Sequence, residues 1–459
     1  MSAEGLRAAE EKMRSAGQPE EAIRAFRRAY ERVDAGESAY LRSEDLEPVQ
    51  DVPTLEDAPE VDPREALEGV AVIKLNGGLA TTMGLRQPKS LIEAREGHTF
   101  LDIIIGQLVA LRERRQVRLP LLLMNSEATR RETLEALGSH PELDVGLPLE
   151  FMQSMIPKLK EETLAPVSWP PDPTLEWCPP GHGDVYGALR SSGVLRELLD
   201  AGMRYAMISN SDNLGALVEP RIPAYMAEHA VPFLMETVIG TEAERKGGHL
   251  ARRRSDGQIV LRESAQVPPE DEDSFRDYRH WRYYNTNNLW VDLEALDETL
   301  KANDGVLELS LIVNRKTVDP RDPDSTPVLQ LESAMGSAIQ SFPEAQLLCV
   351  PRPRFVPVKT TNDLLVLRSD VYEIEDGMIV RPVPERVGKL PYVDLDKRVY
   401  GVLERFDAHF PAGSPSLREA QRLVVHGDVT FGADVVVRGD AEIDAEEPTR
   451  IEDGTVLGS

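Results

Sequence analysis

Val70-Ala71-Val72-Ile73-Lys74-Leu75-Asn76-Gly77-Gly78-Leu79-Ala80-Thr81-Thr82-Met83-Gly84 is the stretch on which the fold turns. Its aliphatic, β-branched first half, Val70–Leu75, predicts a buried strand. That strand runs straight into Asn76-Gly77-Gly78. Two adjacent glycines let backbone N–H groups approach a base or a phosphate with no Cβ in the way. Lys89, eleven residues after Gly78, can then swing onto phosphate oxygens. The stretch lacks the Gly-Lys-Ser/Thr of a P-loop and the three-glycine fingerprint of a dinucleotide fold. A nucleotide is therefore bound here in some other way, or not at all.

Outward from this strand the pattern repeats. Thr99 is placed to cap a helix that presents Phe100, Ile103, Ile104, Leu108 and Leu111 on one side. Leu119–Met124, Tyr205–Ser209 and Pro232–Thr237 read as further strands. This rhythm predicts an α/β fold with an open, mostly parallel sheet, its ligands at the carboxyl ends of the strands. A turn at Ser255-Asp256-Gly257 separates Leu250–Arg253 from Ile259–Glu263 and suggests a hairpin decorating the sheet. Towards the C-terminus, His426-Gly427-Asp428 and Arg438-Gly439-Asp440 recur at a 12-residue interval among alternating small apolar residues. That pattern suggests coils of a β-helix, with a β-meander as the alternative. Before the first strand, Ile23, Phe26, Tyr30 and Val33 recur at helical spacing. Ser43–Pro63 follows with eight acidic residues, four prolines and no Lys or Arg, which favours an extended linker. The expected organisation is an N-terminal helical segment and acidic linker over residues 1–68, a catalytic domain over 69–365, and a C-terminal domain over 366–459 whose β-helix-like repeats occupy 421–459.

The chain of 459 residues carries 52 Lys plus Arg against 79 Asp plus Glu, a net charge of −27. That charge argues against a broad electrostatic grip on nucleic acid or an anionic membrane, while leaving room for a small phosphate ligand held by a few local cations. Cys178 and Cys349 stand far apart in no metal-ligand spacing and read as reduced structural thiols. No apolar run approaches the ~20 residues that cross a bilayer. Met1–Ala22 holds five acidic residues and lacks the apolar core of an export signal, so the cytoplasm is the expected compartment.

The run Lys74–Ser90 resembles the signature of the eukaryotic-type UTP–glucose-1-phosphate uridylyltransferases, usually written LNGGLGTSMG followed by PKS. Further blocks agree in order: Pro179–Asp184, Ser209–Leu214, Lys246-Gly247-Gly248, Tyr284–Trp290 and Val358–Asp363. The resemblance implies a nucleotide-diphospho-sugar transferase fold, of the GT-A or Rossmann-like kind, with a small left-handed β-helix-like domain at the C-terminus. It also implies UTP and glucose 1-phosphate as substrates and Mg²⁺ as cofactor.

Carried over residue by residue, the resemblance assigns the nucleotide to Leu75, Asn76, Gly77 and Gly78 with Gln153, Gly181, Asn210 and Ser211. A pyrimidine edge can be read by backbone groups and one amide. It assigns the metal to Asp212, since Mg²⁺ needs only one or two protein carboxylates when phosphates and water complete its octahedron; helix capping is the alternative. His182 is implied to contact the substrate phosphate or the nucleotide, with a structural hydrogen bond as the other reading. Glu236, Gly248 and Asn285 are implied to read the sugar hydroxyls. Lys89 and Lys359 are the cations for chemistry, Lys89 towards the leaving pyrophosphate and Lys359 towards the α-phosphate and the incoming sugar phosphate.

Ala80 departs from the glycine usual at its position in the family pattern. The chain ends at Gly458-Ser459, short of a further strand usual in similar enzymes, which sets the expectation of a monomer or a weak homo-oligomer through the C-terminal segment. The expected activity is transfer of a uridylyl group from UTP to glucose 1-phosphate. The alternatives are another sugar 1-phosphate, galactose or an N-acetylhexosamine, or a catalytically silent UDP-sugar-binding protein.

Overall fold

The computed structural model describes residues 2–80, 83–245 and 247–459. Thr81 and Thr82 of the glycine-rich stretch and Lys246 of the Lys-Gly-Gly block lie outside the described residues. The central sheet has ten strands: β1 (Leu46–Pro48), β2 (Val70–Asn76), β3 (Leu121–Asn125), β4 (Glu150–Met152), β5 (Tyr205–Asn210), β6 (Phe233–Ile239), β7 (His249–Arg253), β8 (Ile259–Arg262), β9 (Tyr283–Asp292) and β10 (Gln346–Cys349). Its main path runs β1-β7-β9-β5-β2-β3-β4, with β6 on the far edge of β9, β10 beside β6, and β8 on β7. The pairs β5–β2, β2–β3, β3–β4 and β6–β10 are parallel. β9 runs antiparallel to β5, β6 and β7.

Alternation explains why the parallel strands read as unbroken apolar runs. Val70 and Val72 of β2, Leu121 and Leu123 of β3, and Tyr205 and Met207 of β5 enter one core cluster. Ala71, Ile73 and Leu75, Leu122 and Met124, and Ala206 and Ile208 enter a second cluster on the opposite face. Both faces are covered, so neither needs polar residues. One cover is the helix Phe100–Arg115, which starts as expected: Thr99 Oγ1 accepts from Asp102 N–H, and Asp102 accepts from Thr99 N–H at 2.8 Å.

The N-terminal helices α1 (Ser2–Ser15) and α2 (Glu20–Asp34) form a hairpin. It packs Ala9, Met13, Ile23, Phe26 and Tyr30 against Ile156, Leu159 and Leu331. Ser43–Pro63, expected as an extended linker, is a packed element instead. Leu46–Pro48 pairs antiparallel with β7, and Leu46, Val49, Val52 and Leu55 are buried. The acidic residues face outward while an apolar residue every third position faces in. The hairpin β7–β8 likewise joins the sheet through His249 opposite Tyr284.

At the C-terminus, Tyr392–Leu395, Ser416–His426, Val436–Asp444 and Val456–Gly458 stack in parallel, and Val429–Phe431 stacks on Thr449–Ile451. The stacking corrects the repeat: Val429 opposes Thr449 and His426 opposes Asp444. The visible 12-residue interval relates the turn at Gly427 to an irregularity inside the strand Val436–Asp444, where Gly439 pairs with Ala420. Leu417, Leu423, Val425, Val429 and Phe431 belong to the same cluster as the sheet's first face.

Candidate active site

Because β2, β3, β4 and β5 are parallel and in register, Asn76, Asn125, Met152 and Asn210 end at one edge. The loops that leave them therefore meet. The loop after β2 closes on itself: Ala80 N–H donates to Gln87 O at 3.1 Å and Lys89 N–H to Gly78 O at 3.2 Å. This closure returns Lys89 to the sheet edge, where its Nζ lies 2.6 Å from Asp212 Oδ2. Ala80 is fully buried, and its extra methyl joins the core.

Gly77, Gln153 and Gly181, which the family resemblance grouped, lie together. Gln153 Nε2 donates to Gly181 O at 2.9 Å, and Ser126 Oγ to Gly77 O at 2.9 Å. A Cβ on Gly77 would stand 2.5 Å from Gln153 Oε1, so any other residue there would displace the Gln153 amide. Gly181 has φ +82°, and a Cβ there would meet Ser333 O at 2.4 Å. Leu75 packs its side chain in the core, while its carbonyl accepts from Ser211 N–H at 3.3 Å. Asn76 spends its side-chain donors inside the sheet, on Asn125 Oδ1 at 2.8 Å and Thr133 Oγ1 at 2.9 Å. Among the described residues its buried Oδ1 has no hydrogen-bond partner.

Asn210 ends β5, and Ser211-Asp212-Asn213 follow. One buried ammonium holds both ends of this loop: Lys74 Nζ donates to Ser209 Oγ at 2.8 Å and to Ala216 O at 3.2 Å. Burial lowers Lys74 to about 7. Asp212 Oδ1 is buried and has no hydrogen-bond partner among the described residues, whereas Oδ2 meets Lys89. An anionic oxygen left bare in this way suits a cation. The described residues contain no cluster of three or more His, Cys, Asp or Glu placed to chelate a metal, so phosphates and water would supply the remaining ligands of a Mg²⁺ held by Asp212.

Lys359 reaches the same edge through its backbone. Val358 N–H donates to Asp212 O at 3.2 Å, and Asn213 forms a bridge with Pro357. Asn213 Nδ2 holds Arg354 O at 3.1 Å and its Oδ1 accepts from Val356 N–H at 2.9 Å. Lys359 itself is exposed just before the helix Thr361–Arg368, whose start is fixed by the Thr360–Asp363 capping box.

The sugar-side assignments come out unevenly. Asn285 lies beside Gly248, donating its backbone N–H to Gly248 O at 3.0 Å, with its amide folded onto Asn287. Glu236 is a correction: it is fully buried, and its carboxylate accepts from Arg354 Nε at 2.7 Å and Nη2 at 2.6 Å, Trp290 Nε1 at 2.9 Å and Asn288 Nδ2 at 3.2 Å. An interior ion pair thus occupies both oxygens; Glu236 lies on the same buried face of β6 as Leu234 and Val238, opposite a bulge of β9 at residues 286–288. The carboxylate that does border Gly248 is Glu263, which the sequence reading missed. Its oxygens lie 2.7–2.8 Å from where a Gly248 Cβ would stand. Burial raises its pKa and the charge of Lys359 opposes the rise, so Glu263 links the sugar side to the lysine. Its position after β8 was the available signal, since that strand pairs Arg262 with His249 and so sets Glu263 against Gly248.

His182 accepts from Met335 N–H at Nδ1, 2.9 Å away, and burial lowers its imidazole to about 4. The ring is neutral at pH 7, and its proton on Nε2 is a donor. The segment Ser333–Gly336 joins the two halves of the site, touching Gly181 at one end and Asn285 at the other.

Residues 23–438 match the model of the family described as UTP–glucose-1-phosphate uridylyltransferase. The chain is 39% identical over 397 residues to the probable UTP–glucose-1-phosphate uridylyltransferase of Schizosaccharomyces pombe, covering 86% of this chain and 77% of that one. It is 40% identical over 397 residues to the Saccharomyces cerevisiae UTP–glucose-1-phosphate uridylyltransferase, with 85% and 77% covered. Among solved structures, the UDP-glucose phosphorylase of Trypanosoma brucei superposes with a TM-score of 0.93 at 44% identity, covering 99% of this chain and 98% of that one. A Leishmania major UDP-glucose pyrophosphorylase variant in complex with UDP-glucose superposes with a TM-score of 0.93 at 40% identity, with 99% and 98% covered.

Proposed function

This chain belongs to the UTP–glucose-1-phosphate uridylyltransferase family, and from that premise and the geometry of its site we propose how it carries out the reaction. It transfers the uridylyl group of UTP to glucose 1-phosphate, giving UDP-glucose and pyrophosphate. The observation that carries the mechanistic reading is the meeting of the Lys89–Asp212 pair, with its bare Asp212 Oδ1, and the Gly77–Gln153–Gly181 cleft at one sheet edge.

The uracil edge is read by the backbone of Leu75–Gly78 and Gly181 and by the amide of Gln153. Asn210 and Ser211 border the nucleotide at the end of β5. Gly248, Glu263 and Asn285 take the sugar hydroxyls, with Glu236 fixing the floor beneath them. Glucose 1-phosphate arrives with an ionised oxygen, its second pKa being about 6, so no general base is required. That oxygen attacks the α-phosphorus as the bond to the β,γ-pyrophosphate breaks. What the protein supplies is alignment and neutralisation of charge. Lys359 faces the α-phosphate and the incoming phosphate, Lys89 faces the leaving pyrophosphate, and His182 donates Nε2–H to a phosphate oxygen or the nucleotide. Asp212 would hold Mg²⁺, which when bound neutralises phosphate charge and polarises the phosphoryl oxygens.

The sheet is read as the GT-A-like core of nucleotide-diphospho-sugar transferases, with an N-terminal segment over 1–68 that lends the sheet its strand Leu46–Pro48, a catalytic domain over 69–365 and a C-terminal domain over 366–459. The parallel C-terminal stack is read as a left-handed β-helix, which its registers of 18 residues (His426 to Asp444) and 20 residues (Val429 to Thr449) support. The chain is placed in the cytoplasm as a monomer or weak homo-oligomer through that stack. Among the described residues no helix is long and apolar enough to cross a membrane.

A pyrophosphate-release assay with UTP, Mg²⁺ and a panel of sugar 1-phosphates tests this reading. Glucose 1-phosphate should turn over fastest, with UTP preferred over ATP, CTP and GTP. No product with any sugar phosphate would sink the enzyme reading, and faster turnover of N-acetylglucosamine 1-phosphate would reassign the sugar.

A further inference from the structure

The backbone N–H groups of three successive residues at the end of β4 are each pinned by a different part of the chain. Gln153 N–H donates to Asn125 O at 2.7 Å, continuing the strand pairing. Ser154 N–H donates to Asp184 Oδ2 at 2.6 Å, and Met155 N–H to Gln18 Oε1 at 2.8 Å. The first two ties come from inside the catalytic core, and Asp184 belongs to the same turn as Gly181 and His182. The third comes from the turn between α1 and α2, which lies 137 residues away in sequence.

We infer that Gln18 is a positioning residue for the base-reading site, making the N-terminal helical hairpin part of the apparatus that selects the nucleotide. The inference rests on the reading of Gln153 as the amide that recognises the base. Gln153 must hold its Nε2 on Gly181 O while its Oε1 stays against Gly77, and a rotation of its backbone would break one or the other. Beyond Ser154 the chain has left the sheet, so no ladder bond holds Met155; Gln18 takes that place. The next residue, Ile156, packs into the core cluster of the hairpin. Elsewhere the hairpin and the catalytic core are separated by a cavity of about 550 Å³ bordered by Ala22, Phe26, Ile156, Gly183 and Asp184. Beside this cavity a directional bond from Gln18 contributes placement that apolar contact does not.

The test is steady-state kinetics of the full-length enzyme with UTP and CTP. Loss of one hydrogen bond of ordinary strength predicts for Gln18→Ala a rise of about five- to tenfold in KM for UTP and a similar fall in the UTP-to-CTP ratio of kcat/KM, with kcat for UTP changed by less than about twofold. Gln18→Glu, which keeps an acceptor at the same reach, should restore most of both. Because Gln18 is half-buried at a turn, Tm should shift by less than about 4 °C. Unchanged KM and discrimination in Gln18→Ala would overturn the inference. So would a fall in kcat and Tm that Gln18→Glu does not reverse, since that is the mark of a fold defect. Gln153→Ala separates the two levels. If it relaxes discrimination while Gln18→Ala does not, only the role of Gln18 falls; if it leaves discrimination intact, the base-reading role falls and this inference with it.

Discussion

Glu236→Ala is the substitution that most sharply separates a structural carboxylate from a ligand-binding one. Glu236 is fully buried and accepts four hydrogen bonds, two of them from the Arg354 guanidinium, which is itself only 8% exposed. Truncation leaves that guanidinium buried without its counter-charge and strands the Trp290 N–H. Removing one partner of a buried ion pair costs about 3–5 kcal/mol, a large share of the ~5–15 kcal/mol that holds a domain folded. Urea unfolding should show the unfolding free energy lowered by this amount, as a midpoint lowered by this energy divided by m, with the slope m retained. The double variant Glu236→Leu/Arg354→Met should be less destabilised than the sum of its single changes, because neither charge is then left alone. Glu263→Ala provides the contrast: as a half-buried carboxylate on the sugar side it should raise KM for glucose 1-phosphate by about tenfold or more with little change in KM for UTP, a charged hydrogen bond being worth roughly 1.5–3 kcal/mol. A Glu236→Ala protein of wild-type stability with a selectively raised KM for glucose 1-phosphate would refute the assignment of Glu236 to the core.

Asp212→Ala and Lys359→Ala should each lower kcat by about two orders of magnitude or more while the protein stays folded, and Lys359→Arg should fall short of full recovery because a planar fork does not replace a compact ammonium; wild-type turnover in either alanine variant would remove that residue from the chemistry. Stability should depend on pH through Lys74. Burial holds this lysine at about 7 in the folded state, against 10.5 for an ordinary lysine. Between these values the unfolded chain binds the extra proton, so stability rises with pH across the window and the loss is complete below about 7. Lys74→Met should flatten urea-unfolding stability measured from pH 7 to 10, and parallel pH profiles for the two proteins would contradict a depressed Lys74.

The strand–helix rhythm, the buried strand Val70–Leu75, the Thr99 cap and the glycine turn with Lys89 after it were legible in the residues themselves, whereas the grouping of Gln153, Gly181 and Asp212 with them was implied by the family resemblance. The reasons are local ones. A strand buried on both faces needs an unbroken aliphatic run, a capping threonine needs its aspartate three positions on, and a loop that approaches a ligand closely needs glycine. The family blocks added order to these signals, since parallel strands bring successive strand-to-helix loops to one edge whatever their separation along the chain.

Other features depended on which strands pair, and no single segment encodes that. The charge of Ser43–Pro63 suggested solvent, but its apolar residues at every third position found a partner only once β7 offered an open edge. The interval between the Gly-Asp turns suggested a 12-residue coil, whereas stacking chose partners 18 and 20 residues apart, because a coil closes on backbone hydrogen bonds and not on turn composition. Glu236 and Glu263 are the clearest case. In sequence both are carboxylates beside a strand end; strand alternation sets Glu236 on the buried face with Leu234 and Val238, where it meets Arg354, 118 residues away, and the β7–β8 pairing lays Glu263 against Gly248. The residue types on offer at the sheet edge were thus set by sequence, and the choice of which carboxylate is buried in an ion pair and which lies beside Gly248 was made by the tertiary register, since burial of a charge is decided by the partner that meets it.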